Sequence, residues 1–354
     1  MFSILLLAIL LVYVFYFCTI QSSPNVANPG SNSSLVRGSL FRLGYGQDNF
    51  PARSHLWTEK IHLCIMFNMA PGHPLNEKIL NLLISYYFPY FKDITIIFDG
   101  HPKYNFSSVP VFVNVLLCES HFGWYQHKCI QQCIQQNNSA TEGHLYISDD
   151  MFINITKMVE LDKSKIWFNV PDQTKSMSWI MNPGPKGWGW VWWGPPHGNN
   201  IKLNNTIESF PSKWKGKLEK YHGFPDNFGV VGTSDIVFIP ETVVPMILPV
   251  LEHIILQGDL FCEIATLLAI NVASQEFVYM DNGYLWADRS LAGIKRASKT
   301  AHFVHPVKLG NADQAALWVD FMEEQLNRTI LENKAKALDI RRRENRVAKL
   351  MKLF

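Results

Sequence analysis

His144-Leu145-Tyr146-Ile147-Ser148-Asp149-Asp150-Met151-Phe152 is an apolar run that ends in two adjacent carboxylates. Residues 144–147 read as a strand, and its unbroken apolar character is that of a strand covered on both faces. Toward the N-terminus, residues 60–69, 93–98 and 109–117 read the same way. Between them, residues 75–91 carry Leu75, Ile79, Leu82, Leu83, Tyr86, Tyr87 and Tyr90 at helical spacing behind Pro74. Residues 123–136 also read as a helix. Strand, helix, strand, strand, helix, strand is the order of an open α/β sheet. Toward the C-terminus the spacing predicts strands at 165–170, 229–239 and 275–280. Helices are expected within 201–221 and at 241–255, 261–273 and 313–326.

Open α/β sheets bind ligands outside the carboxyl ends of their strands, which is where Asp149 and Asp150 fall. Two like charges this close repel, and burial at a strand end adds a desolvation cost. A hard divalent cation removes the conflict, and phosphate oxygens complete its shell. The plainer alternative has one aspartate capping the next segment and the other in water.

The 354 residues are 47% hydrophobic and 18% charged, which excludes a disordered chain. Net charge is +2, so nothing global calls for nucleic acid. Residues 334–354 hold eight Lys/Arg against two Asp/Glu, leaving 24 against 28 elsewhere, so the body carries about −4 and the tail +6. Residues 4–20 are an uncharged apolar run, ~26 Å long as a helix, and read as an uncleaved membrane anchor with a signal peptide as the rival. Asn32, Asn105, Asn137, Asn154, Asn204 and Asn327 each begin an Asn-x-Ser/Thr sequon, so the body is expected in the secretory lumen. Asn154 follows a buried-looking strand and is expected to stay unmodified. Disulfides are permitted there. Cys64 and Cys262 read as core residues, and Cys118 pairs with Cys129 or Cys133. The odd cysteine count after Cys18 leaves one free or shared between chains, as in a homodimer. Residues 1–20 are thus a cytosolic start and anchor, 21–55 a Ser/Asn/Gly/Pro-rich stem, 56–330 the body (halves 56–155 and 156–330), and 331–354 a basic helical tail.

With its acidic strand end, luminal body and N-terminal anchor, the chain resembles Golgi glycosyltransferases of the GT-A fold, whose open mixed sheet is flanked by helices. Asp149-Asp150 occupies the position of that family's D-x-D motif, with Ser148 where a first Asp stands in Asp-Asp-Asp variants. The resemblance implies a divalent cation, usually Mn2+, on the diphosphate of a UDP-sugar, and a glycan or glycoprotein acceptor. Phe261-Cys262-Glu263-Ile264-Ala265 is similar to the Cys-Glu-Asp-Ile-Ala segment of exostosin-like transferases, without its second acid. It implies Glu263 as acceptor-side base, with Asp259 in reserve; a helix-dipole charge is the alternative. His302-Phe303-Val304-His305-Pro306-Val307-Lys308 implies His305 on the metal and Lys308 on the diphosphate, against an ordinary surface loop.

Other residues are weighed on their own chemistry. Trp188, Trp190 and Trp192 lie in a Gly/Pro/Trp loop and form either a sugar-binding wall or buried pins. Asp235 stands in a turn before a strand and either meets the acceptor or only turns the chain. Asn68 and Asp99 close the first two strands and are candidates for base or ribose contact. Two rival functions are an inactive relative that binds glycan or protein, and a luminal glycoside hydrolase using Asp149 and Glu263. No Walker A, G-x-S-x-G, H-E-x-x-H or EF-hand pattern is present.

Overall fold

In Ile61–Phe67 (β1) every residue is buried, and alternate side chains enter two different cores. Leu63, Ile65 and Phe67 face one, Cys64 and Met66 the other. The same division holds in Gly143–Ser148 (β4), where Leu145 and Ile147 face the first core and Tyr146 the second. A strand with period two and both faces covered must be apolar throughout, which is why these runs lack polar alternation.

The computed structural model describes residues 60–68, 76–91, 93–99, 109, 113–120, 124–137, 140–169, 194–219, 234–258, 260–274, 276–280, 283, 289–305, 309 and 311–351. The expected anchor and stem, Asp259, Lys308, Trp188, Trp190 and Trp192 lie outside them. No helix among the described residues is long and apolar enough to cross a membrane.

The fold is mixed α/β. Besides β1 and β4, the main sheet contains Asp93–Asp99 (β2), Val113–Cys118 (β3), Ile166–Phe168 (β6), Ile236–Pro240 (β7) and Phe277–Tyr279 (β8). Its seven strands run in the order β3-β2-β1-β4-β7-β6-β8. β3, β2, β1 and β4 are mutually parallel, while β7 runs against both β4 and β6. The chain leaves β1 toward β2 and β3, then returns to β4 on the opposite side of β1. That reversal makes the carboxyl ends of β1 and β4 a topological switch point, the position where such sheets take ligands.

Helices close both faces. Asn76–Tyr87 (α1) and the 40-residue Ala312–Met351 (α9) supply Leu83, Tyr87, Trp318 and Phe321 to the first core. Gln126–Gln136 (α2), Val244–Gln257 (α6) and Cys262–Ala273 (α7) supply the second. Trp167 of β6 is fully buried and stacks on Phe238 of β7 at 3.9 Å between ring centroids. Each such aromatic contributes ~1.5–3 kcal/mol by burial. Gly143 opens β4 because a Cβ there would stand 2.4 Å from the Phe238 ring.

Several boundaries differ from expectation. Region 201–221 holds two helices, Asn199–Glu208 (α4) and Ser212–Leu218 (α5), because Pro211 breaks the first and caps the second. The strand expected from 229 begins at Ile236. Leu291–Thr300 (α8), capped by Ser290, was not anticipated. Neither were the four-residue helix Ile155–Met158 (α3) and the two-residue strands Phe152–Ile153 (β5) and Phe303–Val304 (β9), which pair antiparallel. Helix α9 runs without a break through the junction between body and basic tail.

Cys118 is bonded to Cys129, tying the end of β3 to α2, while Cys262 is free and buried. Cys64 is a correction: it is a core residue, but it is also bonded to Cys133. A Cys on an apolar strand reads as a small hydrophobe, and only the packing of α2 over β1 reveals its partner.

Candidate active site

The acidic pair sits in a tight turn at the end of β4, where the Met151 N–H donates to the Ser148 carbonyl at 3.2 Å. Neighbouring strands clamp this turn from both sides. The Asp149 N–H donates to the Met66 carbonyl at 2.9 Å, extending the β1–β4 ladder. The Asn68 N–H then donates to Asp149 Oδ2 at 2.8 Å, tying the ends of the two parallel strands together. On the other side the Ser148 N–H donates to the Asp235 carbonyl at 3.0 Å. This places Asp235, just ahead of β7, beside the pair.

His305 arrives by a separate route. Pairing of β5 with β9 matches Phe152 to Val304, and one step along that register sets His305 opposite Met151. The His305 N–H donates to the Gly283 carbonyl at 3.1 Å. Gly283 must be glycine, since a Cβ there would lie 1.5 Å from the Phe303 carbonyl oxygen. His305 Nε2 consequently lies 3.2 Å from Asp150 Oδ1 and 3.9 Å from Asp235 Oδ1. The histidine side chain is 7% exposed and the two carboxylates 18% each, with Asp149 at 2%.

Asp150 Oδ1 is buried and makes no hydrogen bond among the described residues, although His305 Nε2 lies 3.2 Å away. His305 Nε2 thus stands between two carboxylates, an O,O,N set of the donor types that Mn2+ or a similar cation takes, although the three ligating atoms do not all lie within 4.8 Å of one another. The donor types present fit a divalent metal, which would draw the two carboxylates closer together than they now stand.

Tyr146, two residues before Ser148 on the same face, lies beneath this cluster. Burial first, and then Cys262, Asp235, Asp149 and Asp150, push its phenol well above the usual range. Its hydroxyl meets no hydrogen-bond partner among the described residues. The Cys262 thiol is likewise pushed up, mainly by burial and then by Glu263 and Asp235, with a Ser234 hydrogen bond acting the other way. These shared fields put the start of α7, with half-buried Glu263, on the acidic side of the sheet. The Cys262 N–H donates to the Trp124 carbonyl at 3.0 Å and the Phe261 N–H to Asn199 Oδ1 at 3.0 Å, which pins that helix end.

Asn68 and Asp99 take different positions. Asn68 serves through its main chain and its side chain is exposed. Asp99 Oδ1 accepts the Ser120 N–H at 2.7 Å, closing β2 onto the segment after β3. Asn169, which sequence reading missed, follows β6 at the same end of the sheet as Asp235. Both of its amide atoms are buried without hydrogen-bond partners among the described residues. An amide directly after an apolar strand was the available signal for it, as a Tyr two residues ahead of the acids was for Tyr146.

No protein-family pattern and no curated protein matches the sequence. Among solved structures, the bifunctional glycosyltransferase WbbM shares 10% identity at a TM-score of 0.39, over 80% of this chain and 53% of its own. This chain thus spans about half the length of WbbM. The galactosyltransferase LgtC, solved with donor and acceptor sugar analogues, shares 8% at 0.39 over 75% and 95%. Mouse xyloside xylosyltransferase 1 shares 12% at 0.33 over 70% and 97%. At such scores residue roles do not transfer from these proteins.

Proposed function

We propose that this chain is a metal-dependent glycosyltransferase. It moves a hexosyl or N-acetylhexosaminyl group from a UDP-sugar to a hydroxyl of a glycan or glycoprotein, in the lumen of the Golgi or endoplasmic reticulum. The anchor at 1–20 and the luminal orientation belong to this proposal. The observation that carries it is the convergence of Asp150, Asp235 and His305 at the sheet's switch point, beside buried Asp149.

Asp150, Asp235 and His305 would hold the cation, and Asn68 N–H fixes the orientation of the Asp149 carboxylate. A bound divalent ion would neutralise the carboxylates and the donor diphosphate together. Tyr146 adds no charge of its own, because its phenol keeps its proton. Glu263 is the proposed acceptor-side base, taking the hydroxyl proton as the new glycosidic bond forms. Lys308 on the diphosphate and the tryptophans at 188, 190 and 192 on the sugar complete the proposed site.

Donor hydrolysis tests this without a known acceptor. The purified chain is incubated with Mn2+ and a panel of nucleotide-sugars, and free sugar is measured. Turnover of one donor is expected, abolished by a chelator and in Asp150→Ala, and lowered about a hundredfold or more in His305→Ala. Glycan binding without any nucleotide requirement would overturn the proposal in favour of an inactive relative. Sugar release from a glycoside without nucleotide would do so in favour of a hydrolase.

A further inference from the structure

At the far end of β1 and β4 from the acidic turn lies a second cluster of chemistry-bearing side chains. His62 and His144 face each other across these two central strands, with Nδ1 atoms 3.0 Å apart. Both are buried, at 1% and 4% exposure, where two aliphatic residues would cost far less desolvation. Cys64 shares the face of His62, and Cys133 reaches it from α2. The Cys64 Sγ lies 3.9 Å from His62 Nε2, and so does the Cys133 Sγ. All three ligating atoms fall within 4.8 Å of one another.

The hydrogen bonds around His62 fix its tautomer. Glu241 Oε2, 3.0 Å from His144 Nε2, is an acceptor, so His144 carries its proton on Nε2. In the neutral ring the other nitrogen, Nδ1, then bears the lone pair. His62 must then donate from Nδ1, which leaves its Nε2 unprotonated and accepting from the Thr95 hydroxyl at 2.8 Å, with the Cys64 Sγ beside the ring at 3.8 Å from Nδ1 and 3.9 Å from Nε2. A ligating imidazole whose other nitrogen is held by a hydrogen-bond chain ending in a carboxylate is the arrangement that metal-binding histidines require.

We propose that His62, Cys64 and Cys133 form a sulfur-rich zinc site that alternates with the Cys64–Cys133 disulfide. A dithiol reductant supplies two electrons and two protons to the S–S bond, becoming a cyclic disulfide itself and leaving two protein thiols. Zn2+ then displaces both thiol protons to solvent and forms two Zn–S bonds and one Zn–N bond, with a water in the fourth position. Zn–S near 2.3 Å and Zn–N near 2.0 Å in tetrahedral geometry imply S···N spacings of about 3.5 Å, close to the 3.9 Å already present. The sulfurs must separate, and His62 Nε2 must exchange the Thr95 hydroxyl for the metal. The site is independent of the oxygen-rich cluster at the other end of the sheet.

The test uses Co2+ as a probe, because thiolate ligation gives a sulfur-to-cobalt charge-transfer band that oxygen ligands do not. The full chain carrying Cys118→Ser/Cys129→Ser is titrated with Co2+ before and after phosphine reduction. The proposal expects no such band before reduction, and a band saturating at one Co2+ per chain afterwards that Zn2+ bleaches. Cys64→Ser should abolish it. Glu241→Gln, at a half-exposed position that tolerates change, should weaken Co2+ binding ten- to a hundredfold without unfolding the chain. Absence of the band in reduced protein, its survival in Cys64→Ser, or unchanged affinity in Glu241→Gln would each overturn the proposal.

Discussion

Asp149 and Asp150 are neighbours with different surroundings. Asp149 is buried and bound by a main-chain N–H, whereas Asp150 turns toward His305. Charge and shape can therefore be separated at Asp149. In Asp149→Asn the amide oxygen still accepts from Asn68 N–H, so the thermal midpoint should stay within a few degrees of wild type. Mn2+ affinity, measured by calorimetry, should fall about tenfold or more. Equal affinity would remove Asp149 from the metal centre. The acids themselves were legible, since an apolar strand ending in two carboxylates is an unusual local pattern. Their partners came only through resemblance, which put His305 on the metal, while Asp235 was weighed as an acceptor contact or a turn residue. Asp235 and His305 lie 85 and 155 residues from Asp150 by sequence number, and no local periodicity connects them.

The element that brings His305 in is the β5–β9 pair, two residues per strand. Strands this short carry no readable alternation, which is why the pairing escaped sequence reading. Gly283 makes the pair possible by lying against Phe303. Gly283→Ala should cost about 1–3 kcal/mol in urea denaturation and lower donor turnover together, through displacement of β9. Gly216→Ala in α5 is the control. Its nearest neighbour would be 4.0 Å away, so it should be neutral or stabilising by up to about 1 kcal/mol. Helix caps also bear on modification. Asn154 Oδ1 accepts from the Lys157 N–H at 3.3 Å, and its Nδ2 donates to the Ser298 carbonyl at 2.9 Å. Asn204 and Asn327 are exposed on α4 and α9. Peptide mapping of chain made through the secretory route should find glycan at Asn204 and Asn327 but not at Asn154.

Across the whole molecule, buried histidines set the response to acid. Burial, and secondarily Lys128, hold His127 down to about 3, from an ordinary 6.5. Between those values the unfolded chain binds the proton and the folded chain does not, so stability falls as pH drops from 6.5 toward 3. His62, also lowered to about 3 by burial and by His144, acts with the same sign. Urea midpoints should be independent of these groups above pH 7. At pH 5 they should report a loss of about 1–2 kcal/mol per such histidine. His127→Gln should flatten part of that slope, and an unchanged slope would show that His127 does not stay neutral when folded.

The sequence by itself determined the sheet's central strands, the helices that alternate with them and the acidic turn. Each of these is local: an apolar run, a helical spacing, a pair of charges at a strand end. Only the tertiary structure decided which way the chain turned after β1, and hence that the strand order reverses at the carboxyl ends of β1 and β4. It also decided that Cys64 bonds to Cys133, that two histidines back onto each other in the core, and that His305 meets Asp150. Those facts depend on strand order, register and helix docking, which are set by how complete faces pack rather than by any short stretch of residues.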